Sequence, residues 1–151
     1  MFRAVVPAII AVVAFSAGAS QSELEGAVDL SQYEWKNRLV FVFAPTREEP
    51  SFHTFHESLM AREADVANRD LVVFELLESE PSTKDGESLD PAAARLLRER
   101  FGVADGAFSV ILVGKDGGVK LDRQQQTSLE DIFALIDSMP MRQHEMRREN
   151  P

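Results

Sequence analysis

Cysteine is absent from the 151 residues of this chain. Disulfide exchange and thiol-based peroxide chemistry both require a thiolate, so these residues by themselves exclude a thiol–disulfide oxidoreductase or a thiol peroxidase. Attachment of a lipid at a lipoprotein cysteine is excluded for the same reason. Disulfides make no contribution to stability, and the fold depends on packing, which a chain of this length can supply.

Positive charge is also scarce. Lys and Arg together number 16 against 25 Asp and Glu, which gives a formal net charge of −9. Nucleic-acid binding depends on a clustered basic surface, and the basic residues here are mostly interleaved with acidic ones, so we predict no nucleic-acid partner. Neither a phosphate-binding glycine loop nor a Gly-x-Ser-x-Gly motif occurs. We predict no cofactor.

No apolar run reaches the roughly 20 residues that span a bilayer. The apolar run at residues 4–15 follows a single arginine and precedes Ala17-Gly18-Ala19. A short apolar run between a positive charge and a small-x-small site is typical of a secretory signal peptide. We therefore predict a signal peptide at residues 1–19, cut before Ser20, with no membrane span after cleavage and export to the periplasm or the extracellular medium. An uncleaved anchor is the alternative.

The remaining residues predict one α/β domain at 30–140, between a polar lead-in at 20–29 and a polar, flexible tail at 141–151. Four apolar runs have the composition of strands, at residues 39–43, 71–76, 108–113 and 119–121. Three amphipathic segments have helical spacing, at residues 51–68, 91–101 and 129–139. The predicted order is β-α-β-α-β-β-α, with a central four-stranded mixed sheet flanked by helices.

The end of the first strand resembles the thioredoxin-like fold. Phe43-Ala44-Pro45 leads through residues 46–49 directly into a helix, as the strand before the redox loop does in that fold. The two thiols of a redox thioredoxin are three positions apart, and Thr46 and Glu49 stand at about that spacing here. Residues 107–108 stand where that fold usually carries a cis-proline. The resemblance implies a thioredoxin-like fold whose redox site is missing.

Three further segments resemble one family more specifically. They are residues 40–45 (VFVFAP), 114–120 (GKDGGVK) and 136–142 (IDSMPMR). Together with the signal peptide, they resemble the exported domain-of-unknown-function family 4174, over about residues 30–146. The resemblance implies a thioredoxin- or peroxiredoxin-like domain outside the cytoplasm, without redox cysteines and with no established activity.

The loop formed by Thr46, Arg47, Glu48 and Glu49 is the first candidate ligand site. It lies between the end of a central strand and the start of a helix, where α/β proteins commonly bind ligands and where free backbone N–H groups favour anions. Arg47 adds a positive charge. The alternative is structural, because Glu48 and Glu49 themselves satisfy the positive end of the helix dipole.

His53, His56 and Glu57 form a second candidate, a weak metal site. Their i, i+3 and i+4 spacing brings them to neighbouring positions on one helix. A zinc site needs a third or fourth ligand from elsewhere, and the remaining histidine, His144, lies in the predicted tail. The alternative, which we favour, is that His56 borders the core and His53 is solvated, so we predict no metal.

The leading functional hypothesis is a non-enzymatic binding or structural module that contacts another envelope or extracellular protein. It follows from a retained fold without thiols. The alternative is a small-ligand-binding protein or a non-thiol enzyme that uses the loop from Thr46 to Glu49. Tyr33 and Trp35 precede the first strand and either cover its edge or bind a partner. The oligomeric state is left open.

Overall fold

The computed structural model describes residues 28–150. The predicted signal peptide and most of the polar lead-in lie outside these residues. After a 3₁₀ turn at Leu30–Tyr33, the strands are β1 (Arg38–Ala44), β2 (Leu71–Leu77), β3 (Thr83–Lys84), β4 (Glu87–Ser88), β5 (Ser109–Val113) and β6 (Val119–Arg123). The helices are α1 (Pro50–Ala61), α2 (Glu63–Asn68), α3 (Pro91–Arg100), α4 (Leu129–Ser138) and α5 (Pro140–Glu149). Within the described residues, no helix is long and apolar enough to cross a membrane.

The strands form one mixed sheet in the order β4-β3-β2-β1-β5-β6. β1 is central and pairs in parallel with β2 and antiparallel with β5. The predicted mixed α/β architecture is confirmed, but the sheet has six strands rather than four. The extra hairpin, β3–β4, lies in a segment with no strand pattern, and Asp85 and Gly86 form its turn with φ of 48° and 80°. Strands of two residues are too short to leave a periodic signal.

Side chains alternate across β1 and divide the core into two layers. All seven residues of this strand are buried. Val40 and Val42 face the layer that contains α1 and α4. Phe41 and Phe43 face the layer that contains α3, where the rings of Phe41 and Phe74 stack with centroids 4.8 Å apart. A strand covered on both faces accounts for the continuous apolar run in the sequence.

The segment predicted as a flexible tail requires a correction, because residues 141–149 belong to α5. The Arg142 side chain is only 3% exposed. Its Nη1 donates to the Asn68 carbonyl oxygen at 3.0 Å, and its Nη2 donates to the Asn68 side chain. The helix has almost no apolar face. Its attachment through charged and polar side chains therefore leaves no hydrophobic periodicity in the sequence.

Candidate functional site

The loop from Thr46 to Glu49 uses its own side chains to complete the start of α1. The Glu49 carboxylate accepts a hydrogen bond from the Phe52 backbone N–H at 2.7 Å and so caps the helix. Glu48 is exposed, and the Thr46 carbonyl oxygen accepts from the Glu49 N–H at 3.4 Å. A carboxylate of the chain thus occupies the place where an external anion would meet this helix end.

Arg47 is the member of this loop that faces a cavity. Its Nε lies 3.3 Å from Oε2 of Glu80, and its backbone N–H donates to the other oxygen of Glu80 at 3.3 Å. Its Nη2 donates to the Pro81 carbonyl oxygen at 3.4 Å. These bonds hold the loop against the segment that follows β2, and Arg47 lines the groove beside it.

The three residues of the weak metal candidate do not converge. His53 and Glu57 form an exposed ion pair, with Nε2 and Oε1 3.4 Å apart. His56 is partly buried and turns toward β2, as the alternative interpretation expected. In the range 28–150, no group of three or more His, Asp or Glu side chains is arranged to hold a metal ion.

His56 instead pairs with a buried carboxylate. Its Nδ1 lies 2.5 Å from Oε1 of Glu75, whose side chain is 8% exposed. The other oxygen of Glu75 accepts a hydrogen bond from the Thr83 hydroxyl at 3.3 Å. The His56 ring also stacks on Phe52, with centroids 6.0 Å apart and planes 12° apart. Contacts on two sides therefore fix the imidazole.

Strand geometry explains how Glu75 reaches this position. Successive side chains of β2 alternate between the two core layers, so Glu75 lies on the same face as Val73 and Leu77, beneath α1. In the sheet register, Glu75 is directly opposite Thr83 of β3. Sequence reasoning missed Glu75 because it treated the segment as a plain apolar strand. A lone carboxylate inside a buried run was the available signal.

These residues border a groove of about 510 Å³ between α1, α2 and the β2–β3 edge, which we call the His56 groove. Its apolar wall is formed by Leu59, Met60, Val66 and Val73. Its polar groups are Arg47, His56, Glu63, Glu75, Thr83 and Asp85. Of the residues proposed from the sequence, the groove brings together Arg47 and His56 and leaves out Thr46, Glu48, Glu49, His53 and Glu57.

A second set of buried charges lies at the opposite end of β1. Arg38, the first residue of that strand, donates to Glu145 of α5 from Nη1 at 3.2 Å and from Nη2 at 3.3 Å. Nζ of Lys115 lies 2.7 Å from Oε1 of Glu145. Partial burial raises the pKa of Glu145, but hydrogen bonds from Lys115 and Arg38 outweigh it and hold the pKa below its ordinary value. These contacts join α5 to the sheet and have a structural role.

Comparison with known proteins gives a family and a fold. The family model described as "Domain of unknown function (DUF4174)" matches residues 29–145. Coiled-coil domain-containing protein 80 of Danio rerio is 31% identical over an alignment of 133 residues. The match covers 78% of this chain and 15% of that protein. The chain thus spans about 15% of the length of this relative.

Solved structures of peroxiredoxins share the fold. The reduced 2-Cys peroxiredoxin of Plasmodium vivax has a TM-score of 0.57 at 14% identity, over 79% of this chain and 85% of that one. Thioredoxin peroxidase I of Plasmodium yoelii has a TM-score of 0.55 at 17% identity, over 79% of this chain and 80% of that one. The predicted thioredoxin-like fold is confirmed. At these identities the similarity shows the fold alone.

Proposed function

The chain belongs to the DUF4174 family, and from this premise we propose that it is a thioredoxin-like binding module that is exported and acts without thiol chemistry. The absence of cysteine supports the second part. So does the loop at the start of α1, where Glu49 serves as a helix cap. The arginine and short apolar run at residues 1–19 support export.

The observation that carries the binding function is the His56 groove. Ligand sites are typically concave, mostly apolar and equipped with a few fixed polar groups, with volumes of about 300–1,000 Å³. The groove of about 510 Å³ has an apolar wall and a histidine fixed by Glu75. Met60, which lines it, is an exposed large apolar side chain. A ligand with an apolar body would cover this side chain and gain hydrophobic free energy.

The charges around the groove disfavour an anionic ligand. The lining contains the carboxylates of Glu63, Glu75 and Asp85 and two basic side chains, Arg47 and His56. Each of the two basic side chains already pairs with a glutamate. The chain as a whole carries a net charge of −9. An anion would therefore meet a negative potential, whereas an uncharged amphipathic molecule would not.

Thermal melts of the purified chain test this function. Octanol, octanoate and octylamine carry similar apolar bodies and differ in the charge of the head group. We expect octanol and octylamine each to raise the melting temperature more than octanoate does, because only octanoate is repelled by the negative lining. His56→Ala should abolish the octanol shift, and His53→Ala is the matched control on the same helix. An octanol shift that is equal in the wild type, His56→Ala and His53→Ala, or that is absent from the wild type, contradicts the proposal.

A second candidate function, binding to a partner protein, is favoured by Trp35. This side chain is 67% exposed, and its backbone is held at φ 63° by a hydrogen bond from its N–H to the Lys115 carbonyl oxygen at 2.6 Å. A large aromatic residue rarely adopts this conformation, and exposed tryptophans are frequent interface anchors. Lys115 lies in the turn between β5 and β6, and Val119, the first residue of β6 after this turn, is exposed as well.

Cross-linking in envelope or extracellular extracts tests this second function. Trp35→Asn removes the aromatic side chain while keeping a residue that tolerates positive φ. We expect the Trp35→Asn variant to lose a cross-linked partner that the Lys36→Ala variant still captures. A partner captured equally by both variants assigns the contact to another surface.

A further inference from the structure

Glu75 occupies a position where the fold itself calls for an apolar side chain. It lies in the middle of β2, on the face of the strand that packs against the core, between Val73 and Leu77. Among residues 28–150, it is the one acidic residue that is buried, with 6% of its surface exposed. Replacing a buried ion pair by apolar residues is often neutral or stabilising. Packing therefore gives no reason for a carboxylate here, unlike the charges that attach α5 to the sheet.

We propose that the His56–Glu75 pair is a general-base site that hydrolyses small neutral carboxylic esters in the His56 groove. This proposal rests on the proposed binding function, since it uses the same groove. His56 is the catalytic residue, and Glu75 is a positioning residue that acts through it. Buried carboxylates that orient a histidine beside an open cavity are a recurrent arrangement in acid–base catalysis.

The hydrogen bonds around His56 determine which nitrogen is available. An ionised Glu75 carboxylate only accepts hydrogen bonds, and Nδ1 of His56 lies 2.5 Å from its Oε1, so this contact requires the proton of a neutral imidazole to be on Nδ1. In the part of the chain that the structure describes, Nε2 of His56 has no hydrogen-bond partner. Nε2 thus carries a free lone pair and is the atom that can accept a proton from a substrate water.

The reaction uses only water and the ester. Nε2 of His56 accepts a proton from water as the water oxygen forms a bond to the acyl carbon. The C–O bond to the alcohol then breaks, and Nε2 returns the proton to the leaving alkoxide. The products are a carboxylic acid and an alcohol, and His56 is regenerated. Glu75 stabilises the imidazolium that forms transiently, as a carboxylate beside a histidine does.

Although the groove as a whole is negative, Arg47 can donate a hydrogen bond locally to the negative charge that develops on the carbonyl oxygen. It lines the same groove, and its Nε and Nη2 are engaged by Glu80 and Pro81. Within residues 28–150, its Nη1 has no hydrogen-bond partner. A guanidinium held by two of its nitrogens presents the third as a fixed donor. The apolar part of the ester would lie against Leu59 and Met60.

Hydrolysis of p-nitrophenyl butyrate by the purified chain tests the proposal. We expect His56→Gln, which retains a polar side chain against Glu75, to lower kcat/KM by about 10²-fold, the low end of what a general base contributes. His53→Gln is the matched control and should retain the wild-type rate. Circular dichroism establishes that both variants are folded. Equal rates in wild type and His56→Gln overturn the proposal.

The separate kinetic constants distinguish positioning from a purely structural role of Glu75. Glu75→Gln keeps a side chain of similar size beside His56 but removes the carboxylate that stabilises the imidazolium. We therefore expect kcat to fall by about 10-fold or more while KM changes little, because the ester binds to the apolar wall of the groove. An unchanged kcat contradicts the role given to Glu75.

The two proposals at this groove fail in different ways. If octanol stabilises the chain through His56 but ester hydrolysis does not depend on His56, the binding function stands and the catalytic site is overturned. If neither depends on His56, both are overturned. Octanol should also inhibit the hydrolysis competitively, because both molecules occupy the same apolar wall.

Discussion

Arg38 and Glu145 form a two-bond ion pair although 107 positions separate them in the sequence, with donor–acceptor distances of 3.2 and 3.3 Å. The Arg38 side chain is 1% exposed, and that of Glu145 is 22% exposed. The pair joins the first residue of the central strand to the last helix. Since α5 has almost no apolar face, these charges take the place of a hydrophobic stripe.

Removing the charge of Glu145 should destabilise the whole fold. Glu145→Gln leaves the Arg38 guanidinium buried without its counter-charge. We expect a loss of about 2–3 kcal/mol in the free energy of unfolding, below the 3–5 kcal/mol of a fully buried pair because Glu145 is partly exposed. Urea denaturation measures this loss. Glu149→Gln is the control on the same helix: its carboxylate is half exposed and lies 4.0 Å from Arg142, so this change should cost much less.

The same pair predicts a dependence of stability on pH. The pKa of Glu145 is lower in the folded chain than in the unfolded chain. Its contribution is therefore complete above the unfolded value of about 4.3 and is lost as the pH falls through the lower folded value. Melting temperatures recorded from neutral pH downward should fall less below about pH 4 in Glu145→Gln than in the wild type. Parallel curves would contradict this assignment.

Two adjacent glutamates provide a test of the cap on α1. Glu49 accepts the hydrogen bond from the Phe52 N–H, whereas Glu48 is exposed. Glu49→Ala should cost about 1 kcal/mol of stability, the usual cost of removing an N-cap. Glu48→Ala should have a much smaller effect, limited to the helix dipole. Urea denaturation of the two variants compares them directly, and similar losses would show that the cap bond is not the cause.

The His56–Glu75 pair should show opposite effects on stability in single and double variants. His56→Leu leaves Glu75 buried without its partner and should destabilise the chain by about 2–4 kcal/mol, since truncating one member of a buried pair is costly. The His56→Leu, Glu75→Leu double variant should regain most of this loss, because leucines suit a position between Val73 and Leu77. Chemical denaturation of the three proteins gives the coupling. A double variant less stable than His56→Leu would indicate that the pair is structural.

The main elements of the fold were predictable because their signals are local. The apolar run that includes Phe41 identifies the central strand, and the helical spacing of Phe52, Phe55 and Leu59 identifies α1. The absence of cysteine, together with the sequence after Phe43, also indicated a thioredoxin-like fold without its thiols. Neither inference required knowledge of distant contacts.

The features that were missed depend on contacts between distant residues. Arg142 appears in the sequence as one charge in a polar tail, and only its bonds to Asn68, 74 positions away, make α5 part of the fold. Likewise, His56 and Glu75 are 19 positions apart on different elements. The sequence drew attention to His56 through His53 and Glu57, its neighbours on the helix. Its actual partner lies across the layer on β2.

The central claim is that His56 marks the ligand site through Nε2, and imidazole ¹⁵N spectra during an octanol titration test it most directly. The chain has three histidines, so each signal can be assigned by substitution. The account predicts that free His56 is protonated at Nδ1 when neutral and that octanol moves its Nε2 resonance, while His53 and His144 remain unchanged. A neutral His56 protonated at Nε2, or an Nε2 resonance that octanol leaves in place, would contradict it.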